Sequence, residues 1–491
     1  MQTLDAVLNR ITMYRVVLYG LMGLLAIAEV LALTGALSIS AGGLALSIVA
    51  LGVSSYISNT LIAKFLHAAT NSESWLISAL ILACILPPAT TPARLGLMLL
   101  AGAVAMASKY VLVYRGSHVF NPVALAAFVM SITGLLPATW WVATPVLAPF
   151  TAILALGVLR KQRKFTVFAA FAGTAVLMLL FVSGLLHGQP VADVLKNAAL
   201  SWPIVFLGSI MLTEPTTLPA TRYYQVLFAV LVAAVFASQL HIGRVSATPQ
   251  VALLVGNLFT LVFVPAFGAM LRLKHITQLA PDIYDAAFER PAHMFAFSAG
   301  QYLEWTLPHA HPDLRGNRRI FSIASAPTEP DIHIGFRHYE HSSTFKTALL
   351  AMSPGKYIRA AHVAGNFMLP ADLSQPLLFI AGGIGITPLR SMVQQLVDTG
   401  QQADIVLLYF AARAEDFVYR DVFDSAVALG VRTQYIVGRP TAEAIAAATQ
   451  DAAARTAYLS GPDALVTGTK ALLRSIGVPA AHIHTDHFTG Y

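Results

Sequence analysis

The chain has one cysteine, Cys84, among 491 residues, and only 11% of its residues are charged. A single thiol excludes internal disulfides and any iron–sulfur cluster held by four cysteines of this chain. Soluble proteins carry roughly 25% charged residues, so a large part of this chain is built for surroundings other than water. A contiguous basic stripe with interleaved aromatics is missing, and the net charge of +7 is modest for this length, which argues against a nucleic-acid surface. Paired histidines at axial-ligand spacing are missing from the apolar runs, which argues against haem. No metal site is expected.

What is present is apolar length. About ten runs approach the roughly 20 residues that a crossing helix needs: Met13–Leu33, Ser40–Ile62, Trp75–Leu86, Leu95–Val113, Pro122–Leu136, Pro145–Leu159, Phe165–Leu186, Ala199–Leu212, Val226–Leu240 and Val251–Met270. The first is followed by no small-residue cleavage site and reads as a retained span. Lys64, Lys109, Arg115, the Arg160–Lys164 cluster, Arg222, Arg272 and Lys274 fall on the side of Arg10 and Arg15. The positive-inside rule then predicts both termini in the cytoplasm of a multi-pass protein of a bacterial inner membrane.

The apolar half repeats itself. "SWLISALILACILPPATTPA" from Ser74 and "SWPIVFLGSIMLTEPTTLPA" from Ser201 share Ser, Trp, Pro and Thr positions at an offset of 127, which also pairs Gly116 with Gly243 and Pro122 with Pro249. An offset spanning five helices predicts an inverted repeat, with a site where helices are interrupted. Asn121-Pro122 and Thr213-Glu214-Pro215-Thr216-Thr217 are those interruptions, so Asn121, Pro122, Thr213, Glu214, Thr216 and Thr217 are the candidate membrane site. Glu214 reads either as an intramembrane carboxylate or as a solvated residue past a helix end; His67 and His118 read as interfacial. "YRGSHVFNPVALAAFV" and "IMLTEPTTLPATR" resemble the NqrB/RnfD membrane subunits of bacterial redox-driven ion pumps. The resemblance implies flavin in the membrane. The Ser-Gly-Ala-Thr stretch that carries it covalently in some members is absent here, leaving non-covalent FMN or riboflavin.

After His275 the pattern turns to short alternating runs separated by Gly, Pro and Asp, as in a small antiparallel barrel. After Pro376, apolar strands alternate with helical stretches, as in a parallel sheet. "GGIGITP" follows the strand "PLLFIA" and opens a helix: Gly382, Gly383 and Gly385 let backbone approach a pyrophosphate, and the helix that begins at Thr387 and Pro388 offers its N-terminal amides. With "RIFS" about 60 residues upstream and "YLSGP" downstream, the region Ile276–Tyr491 resembles the ferredoxin–NADP⁺ reductase family. The resemblance implies that Arg319 faces the FAD pyrophosphate, Phe321 covers the flavin ring and Ser322 approaches its N5. It also implies that Phe336, Arg337, Ser343 and Thr344 lie near the flavin. Ser460, where the family commonly has Cys, would stand near the nicotinamide with Gly461 and Pro462. Phe488 or Tyr491 either covers the flavin or packs. Arg413 and Arg420 suit a 2′-phosphate, whereas Glu415 and Asp416 argue for NADH.

Three domains are therefore expected: an α-helical multi-pass membrane domain (1–272), an antiparallel β-barrel FAD domain (273–372) and an α/β Rossmann-like NAD(P) domain (373–491). The expected function is NAD(P)H-dependent flavin oxidoreduction, with Ser322 and Ser460 at the reacting centre. Electrons would pass to a quinone or to an extracytoplasmic acceptor. A hydrocarbon core about 30 Å thick is too wide for one cytoplasmic flavin to bridge, so crossing requires a second cofactor. The rival is a redox-coupled ion transporter driven by the same reductase.

Overall fold

In the computed structural model the described residues are 12–66, 73–114, 117–219, 221–264, 268–291, 296–310, 312–313, 317–340 and 342–486. The chain divides into two compact units, Met1–Ala266 and Phe267–Phe488.

The first unit is helical. Its helices are α1 (Met13–Leu33), α2 (Ala41–Phe65), α3 (Ser74–Ile85), α4 (Pro92–Val111), α5 (Pro122–Ile132), α6 (Ala148–Gln162), α7 (Phe165–Leu179), α8 (Val191–Leu200), α9 (Ile204–Phe206), α10 (Arg222–Ala237) and α11 (Pro249–Phe263). Two hairpins interrupt them: β1 (Val113–Tyr114) with β2 (Ser117–His118), and β3 (His241–Ile242) with β4 (Val245–Ser246). Starts are set locally. Thr12, Ser40, Thr91 and Asn121 cap their helices by accepting from the amide three residues on, and Pro92 and Pro122 occupy the first turn, where no amide is missed.

Among the described residues, four helices are long and apolar enough to cross a membrane: α1, α2, α4, and α7 with its π-helical continuation to Leu186. The α8–α9 pair, bent by 51° and continuing to Met211, makes a fifth if counted as one span. Other apolar runs are shorter helices. Proline is the reason where the sequence shows one: Pro145 precedes α6, and Pro87 and Pro88 follow α3. The last apolar run is split, ending as helix at Phe263 and resuming as strand at Gly268.

The repeat is visible in the elements. Shifted by 127, α3 falls on α9 and its π continuation, α4 on α10, the β1–β2 hairpin on β3–β4, and α5 on α11. Packing follows suit, with α2 against α4 and α7 against α10. Leu33, Phe65, Ile153, Leu177 and Phe263 stand exposed.

The second unit has two sheets. An antiparallel sheet is formed by β5 (Gly268–Ala280), β6 (Ile283–Glu289), β7 (Tyr302–Thr306), β8 (Arg318–Ser322), β9 (Asp331–Arg337) and β10 (Tyr357–Ala364), in the order β8-β7-β10-β5-β6-β9. Its edges meet: Ala324 N, just past β8, donates to His333 O in β9 at 2.8 Å. Trp305, Phe288, Phe336 and Phe345 fill its core. The parallel sheet has the order β13-β12-β11-β14-β15, from β11 (Leu377–Gly382), β12 (Ile405–Ala411), β13 (Val431–Val437), β14 (Thr456–Ser460) and β15 (Ile483–Thr485). All six residues of β11 and all seven of β12 are buried, because apolar clusters cover both faces. Helix α12 (Thr344–Leu350) belongs to the first sheet's region, and α13 (Thr387–Thr399) follows β11.

Candidate functional site

At the C-terminal edge of the parallel sheet, β11 ends in Gly382 and a short 3₁₀ turn, Gly383–Ile386, leads into α13. Gly383 has φ +53°, the left-handed region open to glycine without strain. A Cβ on Gly385 would lie 2.5 Å from both Cα and N of Gly461, so the two glycine segments touch backbone to backbone. Thr387 is buried, its hydroxyl donating to Ile384 O at 3.1 Å, and Pro388 sits in the first turn of α13. Gly335 in β9 has Thr387 Cγ2 and the Tyr419 hydroxyl where its own Cβ would stand. The antiparallel sheet therefore sits directly against the start of α13.

Ser322, the last residue of β8, donates from Oγ to Asp486 Oδ2 at 3.2 Å, and Ser460, the last of β14, donates to the same oxygen at 3.4 Å. Asp486 follows β15, where its amide donates to Leu459 O at 2.9 Å. One carboxylate thus ties the end of each sheet to the other. Sequence reasoning did not single out Asp486. Its only sequence signal is its place just before the terminal aromatic segment, 26 residues from Ser460. Nearby, Tyr302 in β7 has its hydroxyl pushed up to about 12 by burial, helped by the charges of Asp486 and Glu304.

Arg319 Nη2 donates to both oxygens of Asp313, at 2.9 and 3.2 Å, and its guanidinium lies 5.4 Å from the Phe345 ring centroid. The same carboxylate accepts from the Thr344 amide at 3.3 Å, and Ser343 caps α12 by accepting from Lys346 N. Phe321, half-buried, packs 5.9 Å from Phe345. Arg319, Phe321, Ser343 and Thr344 are therefore one cluster, with Asp313 added. Phe336 and Arg337 lie elsewhere. Phe336 is buried and stacked on Tyr284 at 5.7 Å, and Arg337 Nη2 donates to the fully buried Asp416 at 2.5 Å. Arg413 donates to Asp416 at 2.8 Å and Asp282 at 2.9 Å and lies 3.1 Å from Glu415. Burial would raise the Asp416 carboxyl, but hydrogen bonds from Arg413 and Arg337 hold it below the ordinary carboxylate value. Arg420 lies 4.3 Å over the Tyr435 ring. Gly461 and Pro462 follow β14, with Gly461 at φ +150°. Tyr491 and Phe488 lie outside the described residues.

The helical unit has its own cleft, about 630 Å³ with its open mouth included. Asn121, Pro122 and Glu214 line it together with Lys109, His118, Ser74, Ser78 and apolar side chains of α1 and α3. Asn121 Nδ2 donates to Glu214 Oε2 at 2.7 Å, Thr217 Oγ1 to the same oxygen at 3.2 Å, and His118 Nε2 lies 3.5 Å from Glu214 Oε1. Thr216 Oγ1 is 3.0 Å from His118 Nε2. Thr213 instead turns its hydroxyl back to Ser209 O at 2.5 Å and is fully buried. Among the described residues no three His, Cys, Asp or Glu side chains cluster as a metal site would require.

Residues 379–474 match the family described as the oxidoreductase NAD-binding domain. Ferredoxin–NADP reductase B of Sorangium cellulosum (strain So ce56) is 29% identical over 239 residues, which are 44% of this chain and 96% of that protein. The C-terminal unit is a ferredoxin–NADP reductase-like domain. The stachydrine N-demethylase reductase subunit Stc4 of Rhizobium meliloti (strain 1021) is 25% identical over 230 residues, 43% of this chain and 64% of that subunit's length. Among solved structures, the Amycolatopsis cytochrome P450 reductase GcoB aligns with a TM-score of 0.41 and 21% identity, over 46% of this chain and 70% of its own. The reductase-like domain is an NAD(P)H oxidoreductase, and FAD and NAD(P)H are the groups it takes. Two features of this chain fit them. Gly383 has open space where a Cβ would stand, beside the close Gly385–Gly461 backbone contact, and the Arg319 corner already accepts an anion, the Asp313 carboxylate.

Proposed function

We propose that the chain is a membrane-bound NAD(P)H-dependent flavin oxidoreductase that passes electrons from cytoplasmic NAD(P)H through FAD into its helical unit. The acceptor is a quinone or lies beyond the membrane. The observation that carries this reading is the convergence of Ser322 and Ser460 on one oxygen of Asp486, because it brings a flavin-side group and a nicotinamide-side group to one point. The chemistry that FAD supplies when bound is acceptance of a hydride and release of two electrons singly.

The residues have distinct work. Arg319 and the amide end of α12 would hold the negative part of FAD by charge-assisted hydrogen bonds, and Phe321 would offer a flat face to the ring. Gly382, Gly383 and Gly385, with Thr387 and Pro388 opening α13, would take the dinucleotide phosphates. Asp486 holds the hydroxyls of Ser322 and Ser460 in place and so fixes where the reacting carbon and nitrogen can meet; a misplacement of about 1 Å costs about 10²-fold in rate. Arg413 is matched by Asp282, Glu415 and Asp416, so NADH is preferred over NADPH, whose 2′-phosphate would add charge to an already acidic corner.

For the helical unit the proposal is an NqrB/RnfD-like domain of about ten crossings, 1–272, with inverted halves and both termini cytoplasmic. It would be followed by a barrel FAD domain, 273–372, and a nucleotide domain, 373–491. The recurrence of helices and hairpins at an offset of 127 supports it. A non-covalent FMN or riboflavin there would let electrons cross. The bent α8–α9 pair favours a second reading, redox-coupled ion transport.

Flavin extraction from detergent-purified full-length protein, with NADH–ferricyanide turnover, tests the first reading. The expected result is FAD with steady NADH oxidation; protein that retains no FAD when supplied with it refutes the reading. NADH-driven uptake of Na⁺ or H⁺ into vesicles would instead select the transport reading.

A further inference from the structure

The positive-inside pattern asks only that cations lie in the loops on one side. It does not ask that any two be held together, yet at the turn between α6 and α7 two are. Lys164 Nζ donates to Gln225 Oε1 at 2.8 Å, and Arg222 Nη2 donates to Thr166 Oγ1 at 2.9 Å. Lys164 and Thr166 stand at the start of α7, and Arg222 and Gln225 at the start of α10, so each cation reaches from its own helix to the other. Gln225 is itself steadied, its Nε2 donating to Pro219 O at 2.8 Å. The like charge of Arg222 bears on Lys164, which is half-buried. Both acceptors are neutral, and among the described residues neither cation is in an ion pair.

Two like charges fixed side by side raise the free energy of the fold, and an anion bound between them removes that cost. Both cations have donors left for it, since an ammonium and a guanidinium each carry more N–H groups than the one bond that each makes here. The neighbouring side chains decide the kind of anion. Phe165 and Tyr223, next in sequence to Lys164 and Arg222, are 44% and 69% exposed. Leu227 and Val230 carry the exposed face of α10 onward from Tyr223, and α7 packs alongside α10. A small soluble anion gains nothing from such a face. A phospholipid does, because aromatic rings favour the level of the headgroups and acyl chains cover the apolar residues beyond.

We infer that Lys164 and Arg222 hold the phosphate of an anionic phospholipid, whose acyl chains lie along the outer face of α10. The inference rests on the reading of the helical unit as membrane-embedded. A free phosphate ion offers the same oxygens without the chains, and the test separates the two.

The test uses full-length protein in a neutral detergent, titrated calorimetrically with dioctanoyl phosphatidylglycerol, dioctanoyl phosphatidylcholine and sodium phosphate in turn. Phosphatidylglycerol should bind saturably, and more tightly than either of the others. Lys164→Gln and Arg222→Gln should each weaken its binding by about fivefold, the worth of one cation beside an anionic headgroup. Lys64→Gln, which removes an exposed cation at the end of α2, should leave binding unchanged. Equal affinity for phosphatidylcholine, or wild-type affinity for phosphatidylglycerol in both Lys164→Gln and Arg222→Gln, overturns the inference. Sodium phosphate bound as tightly as phosphatidylglycerol overturns it in favour of a free-anion site. Flotation of the protein with phosphatidylcholine vesicles after an alkaline carbonate wash reads membrane embedding separately. A chain that floats but does not discriminate phosphatidylglycerol sinks the lipid site alone, whereas a chain left behind in the wash sinks the membrane reading and the site with it.

Discussion

Gly385→Ala is the sharpest perturbation of the nucleotide loop. The new methyl would sit 2.5 Å from Cα and N of Gly461 and 2.6 Å from the Ser460 carbonyl carbon. All of these are backbone atoms, so no side-chain rotation relieves the clash. Ordinary carbon contacts begin near 3.5 Å, so one segment must retreat by roughly 1 Å. Either retreat moves Ser460 relative to Ser322, and a 1 Å error at a reacting centre costs about 10²-fold. Overpacking costs about 1–3 kcal/mol of stability as well. The assay is kcat/KM for NADH with ferricyanide, beside flavin content and Tm. The expected result is a drop of about 10²-fold with FAD retained, since the Arg319 corner is untouched. Gly383→Ala is the control: its Cβ has open space, although φ +53° strains it by about 1 kcal/mol, so its kcat/KM should fall far less. Wild-type kcat/KM in Gly385→Ala would refute the claim that this backbone contact sets the nucleotide geometry.

Asp486→Asn should slow hydride transfer in stopped-flow reduction by about tenfold, the worth of one charge-assisted hydrogen bond of about 1.5 kcal/mol; an unchanged rate would remove Asp486 from the site. Arg319→Ala should weaken FAD retention by about 10- to 100-fold, read by equilibrium dialysis, and should release Asp313 from its ion pair. NADH should exceed NADPH in kcat/KM, and Asp282→Ala, by freeing one bond of Arg413, should narrow the ratio; a wild-type preference for NADPH refutes the charge argument. Asp451 is pushed down to about 2, chiefly by hydrogen bonds from Arg455 and Thr449. A carboxylate depressed on folding stabilises fully above its unfolded value of 3.8 and loses that contribution as pH falls toward 2. The Tm difference between wild type and Asp451→Asn should therefore be constant above pH 5 and shrink below pH 4.

What the sequence displays is what lies close along the chain. The strand, glycine turn and helix around Gly382–Pro388 are written in 13 consecutive residues from Phe379 to Ser391, and the structure places β11 and α13 there. The repeat was legible because proline pins helix ends wherever it occurs. Partnerships between distant segments were not. Asp486 meets Ser322 across 164 positions, and Glu214 meets Asn121 across 93. Nothing in "RGSHVF" distinguishes an interfacial histidine from one beside a carboxylate; only the packing of the β1–β2 hairpin near the Glu214 turn does so. The family resemblance puts Arg337 of "GFRHYE" near the flavin, and its pairing with Asp416 needs the fold. The span lengths blurred for a related reason: hydropathy counts apolar residues, whereas the helices stop at prolines and caps inside those runs.

The duplicated architecture has a practical consequence for every experiment on the helical unit. Residues of α3, α4, the β1–β2 hairpin and α5 have counterparts 127 positions away in matching elements, synthesised, inserted and purified in the same molecule. A substitution at Thr217 can be paired with one at Thr90, or at Pro215 with Pro88. Any harm to insertion or folding should appear in both, whereas harm to chemistry should appear in one. The protein carries its own matched reference, and differences between twins measure function with the scaffold subtracted.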